Sequence, residues 1–345
     1  MSLHIDIEPR LLHFKQPAGT SRGVYTKRRI WLLHLTDDAL PHREGIGECA
    51  PLPDLSCDAL PDYEQRLKEL CRNMEQTGAI DYDLLRPYPS ILFGMETALL
   101  HLQRGTIALS DSPFARGEEG IPINGLVWMG GFDEMLRRLE TKMEAGFRCV
   151  KLKIGAIDFE KELQLVRHIR RHFSAKEIEL RVDANGGFST DDALDSLKRL
   201  AEYDIHSIEQ PIRQHQWEAM AALCAASPLP IALDEELIGV NDRAGKQRLL
   251  DTIQPAYIIL KPSLHGGMHG SREWIALTKE RGIGSWITSA LESNIGLNAI
   301  AHFAAATYGP HITMPQGLGT GALYTDNIAM PLEVRGDQLW FCPKE

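Results

Sequence analysis

The sequence is poor in positive charge and has no long apolar run, and each shortage excludes a class of partner. Its 345 residues include 37 Lys and Arg against 47 Asp and Glu, for a formal net charge of −10. Because nucleic-acid binding relies on basic side chains that neutralise phosphates, this charge argues against a nucleic-acid partner. The most apolar stretch, near Ile300, is interrupted by Asn298 and His302 and is too short to span a bilayer. We therefore expect neither nucleic acid nor a membrane among its partners.

Cysteine is also scarce, and its spacing indicates no paired or metal-bound thiols. No CxxC motif occurs, so in a chain of this size we expect reduced thiols and no disulfide framework. The N-terminus has no basic start followed by an apolar stretch, which argues against a signal peptide and favours a cytoplasmic protein. The sequence does not predict an oligomeric state, because apolar residues of a subunit interface cannot be distinguished from those of the core by sequence alone. The six cysteines are Cys49, Cys57, Cys71, Cys149, Cys224 and Cys342.

A dinucleotide-binding loop is missing as well, and this affects the choice of fold. Before a polar, glycine-rich stretch at 107–120, the pattern predicts strands within 3–36 and helices at 59–76 and 94–104. After it, helix and strand patterns alternate, which indicates βα units with parallel strands. An eight-stranded barrel is the natural closure; the alternative, a doubly wound open sheet, predicts a GxGxxG after its first strand. The predicted strands are 121–124, 149–154, 178–183, 207–209, 231–234, 257–261, 285–289 and 311–314.

The most informative pattern is a series of charged residues at the ends of successive predicted strands. From Lys153 onward, the groups follow one another at intervals of 25 to 30 residues, about the length of one βα unit. In a parallel barrel, the carboxyl ends of the strands form the active site. The series consists of Lys151, Lys153, Asp183, Glu209, Asp234 and Lys261.

The three acids of this series predict a metal site. Asp183, Glu209 and Asp234 end three consecutive predicted strands, so their carboxylates should converge. Converging carboxylates repel one another unless a cation lies between them. Oxygen ligands favour a hard ion, and we expect Mg²⁺, with Mn²⁺ as a possible substitute.

The lysines predict acid–base chemistry. Lys151 and Lys153 are two residues apart and so face the same side of their strand. An inward lysine among apolar neighbours is costly to keep charged, so its pKa should fall, which suits a general base. Lys261 ends the sixth strand and would approach from the opposite side of the ring.

Other polar residues near these strand ends are further candidates. Arg181 precedes Asp183 by two positions, and it either binds an anionic substrate group or forms a structural ion pair. Asn185, on the same side, would bond to substrate or support the metal. Since side chains alternate along a strand, Glu235 should point away from the site that Asp234 enters.

With these residues, the sequence resembles the enolase superfamily in its muconate lactonizing enzyme-like subgroup. The KxK, DxN, E, D and K positions match in order, and the segments 289–298 and 316–321 add to the match. The resemblance implies a modified (β/α)7β TIM-type barrel over residues 119–319. It also implies an α+β N-terminal capping domain over residues 1–118, completed by about residues 320–345.

The resemblance further implies a Mg²⁺-dependent carbon–oxygen lyase. Its reaction would be the dehydration of 2-succinyl-6-hydroxy-2,4-cyclohexadiene-1-carboxylate to o-succinylbenzoate in menaquinone biosynthesis. Lys153 would take the α-proton, Lys261 would stabilise the enediolate, and Lys151 would support Lys153. The implied magnesium ligands are Asp183, Glu209 and Asp234. Residues that would border the substrate, with 17–23 as a lid, are Ser289, Gly317 and Gly319.

Other activities compete with this interpretation. N-succinylamino acid racemases share the lysine pair and the acids, and dipeptide epimerases belong to the same subgroup. The epimerases usually carry Asp-x-Asp after the last strand, where this chain has Gly317 and Gly319. A metal-free Schiff-base aldolase would leave the three acids without a role, and a binding protein would have no need of opposed lysines.

Overall fold

The computed structural model describes residues 2–20, 23–128, 130–155 and 158–343. Its N-terminal part combines an antiparallel sheet with helices. Both predicted helices of this part are confirmed, although the second begins earlier, at Pro89, a residue that helices accept in their first turn. The elements are β1 (Leu3–Thr20), β2 (Gly23–Asp37), β3 (Gly45–Cys49), α1 (Tyr63–Thr77), α2 (Tyr82–Leu85) and α3 (Pro89–Arg104).

The rest of the chain alternates strands and helices, as predicted. Seven of its strands, β5 to β11, form one parallel sheet in sequential order. The elements are β4 (Ile121–Pro122), β5 (Gly125–Val127), α4 (Phe132–Glu144), β6 (Cys149–Lys153), α5 (Phe159–His172), β7 (Glu179–Asp183), α6 (Ala193–Ala201), β8 (Ser207–Glu209), α7 (Trp217–Ala226), β9 (Ile231–Leu233), α8 (Arg243–Ile253), β10 (Tyr257–Leu260), α9 (Gly267–Lys279), β11 (Gly284–Ile287), α10 (Asn294–Tyr308), β12 (Leu332–Arg335) and β13 (Gln338–Phe341).

The parallel sheet separates apolar from charged residues by simple alternation. Leu152 and Val182 point outward into the large apolar cluster that the surrounding helices cover. The residues beside them, Lys151, Lys153 and Asp183, point to the other side. Each strand thus contributes an apolar layer that stabilises the fold and a polar inner face that builds the site.

The first and last predicted strands of the barrel are wrong. Ile121 and Pro122 pair antiparallel with β13, in a small sheet with β12, which suits proline at a sheet edge. Residues 311–314 form no strand, because His311 adopts a left-handed φ of 60° and prolines flank the segment at 310 and 315. Instead, Gln316 and Gly317 form parallel bridges to Ile123 and Thr288 respectively.

The hairpin of β1 and β2 reaches from the N-terminal sheet towards the parallel sheet. The two strands pair from Leu3 and Asp37 to Thr20 and Gly23, so most of the predicted loop at 17–23 belongs to this hairpin. Residues 21 and 22 lie outside the described part of the chain. Strand β1 also contacts the chain near residue 324, since Phe14 bridges Tyr324 in antiparallel fashion.

Residues 30–33 of strand β2 are buried on both faces, which holds the N-terminal sheet in place. Trp31 and Leu33 pack with α1 and α3 in one apolar cluster. Ile30 and Leu32 point to the opposite face and pack in another cluster with Leu291, which follows β11. The strand therefore joins the helices of the N-terminal part to the end of the parallel sheet.

Two buried carboxylates of the N-terminal part cap helices of the second part. Glu48 on β3 accepts hydrogen bonds from the backbone N–H groups of Ser293 (2.8 Å) and Gly296 (2.9 Å) at the start of α10. Glu96 on α3 accepts from the N–H of Met268 (2.6 Å) at the start of α9. Because the first N–H groups of a helix lack partners within it and carry partial positive charge, these carboxylates stabilise the contact.

All six cysteines are unpaired, as the sequence predicts. Within the described ranges, no helix has both the length and the apolar character needed to cross a membrane.

Candidate active site

The predicted charged series converges at the carboxyl ends of β6 to β10. Strand register sets Lys153 beside Asp183, and Asp183 beside Glu209. Asp234 directly follows β9, and Lys261 directly follows β10. All of these side chains are largely buried.

Ion pairs connect the lysines to the acids. The Nζ atom of Lys151 lies 2.9 Å from Asp183 Oδ2 and 2.6 Å from Glu209 Oε2. The Nζ atom of Lys153 lies 3.0 Å from the same Asp183 oxygen. Lys261 pairs with Asp234. Each ammonium group therefore compensates at least one buried carboxylate, which burial would otherwise make costly.

These pairs shift the pKa values of the groups in opposite directions. Burial alone would raise the pKa of Asp183, but the ammonium groups of Lys151 and Lys153 hold it below its usual range. The pKa of Glu209 is raised well above its usual range, because it is buried and faces the carboxylate of Asp183. Burial lowers the pKa of Lys151, yet the surrounding carboxylates outweigh burial and raise it. The predicted fall in pKa is therefore wrong for Lys151. The same balance of burial and carboxylates raises the pKa of Lys261.

The donor chemistry of the three acids fits a hard divalent cation. Glu209 Oε1 and Asp234 Oδ1 are buried oxygens to which the described part of the chain offers no hydrogen-bond donor. Such oxygens are the ligands that Mg²⁺ and Mn²⁺ prefer. In the described ranges, however, no three His, Cys, Asp or Glu side chains stand close enough together to hold an ion. The ammonium group of Lys151 contacts both Asp183 and Glu209 in this structure.

A cavity opens above the charged cluster, and most of the predicted residues line it. Its walls differ in character: one is charged, one is rich in hydroxyl groups and glycine, and one is apolar. The charged wall consists of Lys151, Lys153, Glu235 and Lys261, together with the neutral amide of Asn185. The second wall consists of Thr288, Ser289, Gly317, Gly319 and Thr320. The main apolar residues are Tyr25, Leu52, Leu55, Trp128 and Leu291.

The hydroxyl wall is built by backbone pairing across the end of β11. The N–H of Ser289 donates to the carbonyl of Gly317 (3.1 Å), and the Ser289 hydroxyl lies 2.6 Å from that of Thr320. A Cβ on Gly317 would come within 2.2 Å of Thr288 Oγ1, so a side chain there would displace Thr288. At Gly319, a Cβ would make only ordinary contacts, at 3.5 Å or more.

Arg181 is not among the residues that line this cavity. Its guanidinium group donates to Glu179 Oε1 (2.7 Å) and to the carbonyl of Pro315 (3.0 Å). It also stacks over Trp286, with its central carbon 4.3 Å from the ring centroid. These contacts favour the structural ion pair, the second of the two interpretations that the sequence left open.

We expect the substitution Arg181→Met to reduce stability and to leave substrate binding intact. Removing the buried guanidinium strips Glu179 of its partner, which should cost roughly 3 kcal/mol of unfolding free energy. Denaturant unfolding measures this loss, and the exposed Arg171→Met is the matched control, with an expected change below about 0.5 kcal/mol. A raised KM in a variant of unchanged stability would assign Arg181 to the substrate instead.

The prediction for Glu235 is wrong, because this residue lines the cavity instead of pointing away from it. Strand β9 ends at Leu233, and the chain then enters a 3₁₀ turn over Glu235–Leu237, where the alternation of a strand no longer applies. Burial and the neighbouring carboxylate of Asp234 raise the pKa of Glu235 to about 7. The apolar residues Tyr25 and Trp128 were also missed, since neither lies near the charged series in the sequence.

Two family models match the chain. The model described as "Enolase C-terminal domain-like" matches residues 134–337, and "MenC, N-terminal domain" matches residues 20–102. The o-succinylbenzoate synthase of Desulfotalea psychrophila is 48% identical over 95% of this chain and 96% of that protein. The chain belongs to the o-succinylbenzoate synthase family of the enolase superfamily.

Solved structures agree with this membership. The crystal structure of MenC from Desulfotalea psychrophila, a protein of the same family, superimposes with a TM-score of 0.83 at 42% identity, covering 99% of this chain and 100% of that one. A dipeptide epimerase from Enterococcus faecalis, complexed with Mg and a dipeptide, also reaches a TM-score of 0.83, at 19% identity and coverage of 100% and 98%. The second likeness shows a common fold alone, so the synthase family is separated from the epimerases by sequence.

Proposed function

We propose that this chain dehydrates 2-succinyl-6-hydroxy-2,4-cyclohexadiene-1-carboxylate to o-succinylbenzoate, a step of menaquinone biosynthesis. The reaction breaks the C–H bond beside the ring carboxylate and the C–O bond of the neighbouring hydroxyl group, and it releases water. The observation that carries the proposal is the 48% identity to an o-succinylbenzoate synthase over nearly the whole chain. A lyase is the enzyme class that this membership implies.

Lys153 is the proposed base. It lines the cavity, and as a neutral amine it takes the proton from the carbon beside the substrate carboxylate and then returns it to the leaving hydroxyl group. Lys261 lines the cavity as well, and its ammonium group stabilises the negative charge of the enediolate. Lys151 contacts both Asp183 and Glu209, and it supports the electrostatics around Lys153.

Asp183, Glu209 and Asp234 are the proposed ligands of Mg²⁺, for which Mn²⁺ would substitute. The unpartnered buried oxygens of Glu209 and Asp234 support this proposal. A bound divalent cation would act as a Lewis acid on the substrate carboxylate and stabilise the charge that develops there.

The other two walls of the cavity suit the remaining parts of the substrate. Ser289, Gly317 and Gly319 offer hydroxyl and backbone groups for the succinyl side chain, and Asn185 lies beside the base. The apolar wall suits the carbon ring and excludes water. Residues 17–23, of which 21 and 22 lie outside the described chain, would act as a lid; Tyr25 on β2, which lines the cavity, supports this role.

The proposed architecture is a modified (β/α)7β barrel over residues 119–319. The bridges of Gln316 and Gly317 to opposite edges of the parallel sheet support such a closure. A capping domain over residues 1–118 would be completed by about residues 320–345, and the pairing of Phe14 with Tyr324 supports this return. The six unpaired cysteines support a cytoplasmic protein.

Ultraviolet absorbance of the cyclohexadiene substrate tests the proposal directly. We expect purified protein with Mg²⁺ to remove the diene absorbance rapidly, and EDTA to stop the reaction until Mg²⁺ is restored. Persistence of the diene band with folded, metal-loaded protein would overturn the assignment.

Racemisation of N-succinylamino acids is the second candidate. Lys153 and Lys261 both line the cavity, so a second base is available to return a proton from another direction. Loss of optical rotation in an N-succinylamino acid, without loss of the diene band, would favour this activity. Epimerisation of dipeptides is disfavoured by the glycines at 317 and 319.

A further inference from the structure

We propose that Glu235 is a positioning residue, which holds the amide of Asn185 so that the amide oxygen faces Lys153. Asn185 Oδ1 accepts a hydrogen bond from Lys153 Nζ at 2.7 Å. Its other end, Nδ2, donates to Glu235 Oε1 at 2.8 Å. The three side chains form a continuous chain of contacts into the cavity that all of them line. This inference rests on the proposed role of Lys153 as the base.

The two acceptors around Lys153 determine where its lone pair points. A neutral amine has two N–H groups and one lone pair, and only the lone pair can take a proton. Asp183 Oδ2 at 3.0 Å and Asn185 Oδ1 at 2.7 Å accept the two N–H groups. The lone pair is then directed away from both oxygens. Both acceptors are needed, because a single one would leave the amine free to rotate.

Asp183 can accept with either oxygen, but Asn185 can accept with only one end of its amide. A reversed amide would present its N–H₂ group to Lys153, where it would either face an N–H of the amine or bond to the lone pair that has to take the proton. Glu235 opposes this reversal, because its Oε1 lies 2.8 Å from Nδ2 and a reversed amide would set the amide oxygen against this carboxyl oxygen. The backbone N–H of Asn185 also donates to Asp183 Oδ1 (3.1 Å), so the amide group is the part that remains to be oriented.

The surroundings of Glu235 indicate that it is not placed there for stability. Its side chain is buried, and Oε2 finds no hydrogen-bond partner within the described residues. Burying a carboxylate with one unsatisfied oxygen is unfavourable for folding. The next residue, Glu236, is equally buried, yet both of its oxygens have partners, the N–H of His215 (2.7 Å) and Gln210 Nε2 (3.2 Å). Glu236 therefore serves as a structural comparison for Glu235.

Two substitutions of Glu235 distinguish the effect of its hydrogen-bond acceptor from the effect of its negative charge. Glu235→Leu removes the acceptor, and we expect kcat to fall about a hundredfold because the base is misaligned, with KM within about threefold of the parent. Glu235→Gln keeps an oxygen that can accept from Asn185, and kcat should stay within about tenfold of the parent. An equal loss in both variants would overturn the proposal, because it would assign the effect to the charge.

A kinetic isotope effect distinguishes positioning from a general loss of structure. With substrate deuterated at the carbon beside the ring carboxylate, the isotope effect on kcat should increase in Glu235→Leu, because proton abstraction becomes slower than the other steps. The matched control Glu236→Gln should lower the melting temperature and leave the isotope effect unchanged. A Glu235→Leu enzyme that is folded and has the parent's isotope effect and kcat would overturn the proposal.

A double substitution adds a second readout. Asn185→Ala removes the group that Glu235 orients, so adding Glu235→Leu to it should cause little further loss of kcat. Losses that multiply would show that Glu235 acts independently of Asn185 and would overturn the proposal. If the parent enzyme itself leaves the diene band unchanged, the proposed function fails first, and this result is separate from any effect of Glu235.

Discussion

Replacement of Lys153 by alanine is expected to reduce kcat by about two to four orders of magnitude, the contribution of a positioned general base. Lys153 is the proposed base, and the substitution removes the amine that takes the proton. The protein should stay folded, because Asp183 keeps an ion pair with Lys151 at 2.9 Å. Loss of the diene absorbance measures turnover, and thermal unfolding measures the folded state.

The matched control for this substitution is Lys176→Ala, which removes an exposed lysine outside the site. It should turn over substrate at the parent rate. Turnover of Lys153→Ala within about tenfold of the parent would contradict the assignment of Lys153 as the base.

Replacement of Asp234 by asparagine is expected to weaken Mg²⁺ binding by at least about a hundredfold. The change removes one negative charge from the proposed ligands and also deprives Lys261 of its carboxylate partner. Two measurements check this expectation: calorimetric titration with Mg²⁺, and the Mg²⁺ concentration that gives half-maximal turnover. Activity should return in part at high Mg²⁺, since an amide oxygen still ligates the ion.

Asp195→Asn is the matched control, because Asp195 is exposed and pairs with Lys198 on the surface, at 3.4 Å. Its Mg²⁺ affinity should equal that of the parent. Unchanged Mg²⁺ affinity in Asp234→Asn would remove Asp234 from the proposed ligands.

Residues that lie within regular strands were predictable from the sequence. Lys151 and Lys153 share a face because strand side chains alternate, and Asp183 and Glu209 adjoin them because neighbouring parallel strands pair in register. These relations depend on local geometry and on the repeated βα unit, both of which are visible as patterns. The order of the seven parallel strands follows from the same repeat.

Residues outside regular strands were not predictable in this way. Glu235 reaches the cavity because a 3₁₀ turn replaces the strand after β9. Residues 311–314 fail to form a strand because His311 is left-handed. The pKa of Lys151 rises instead of falling, because its neighbours are carboxylates from other strands and not the apolar groups that the sequence suggests.

The sequence by itself determined which charged groups this protein places at one end of its parallel sheet, because periodicity and spacing set the direction of each strand residue. Only the tertiary structure decided what surrounds those groups. Tyr25 covers the cavity from a hairpin more than 120 residues away from Lys153, and Arg181 is drawn to Glu179, Pro315 and Trp286. Such contacts arise from packing between distant segments, and no local pattern records them.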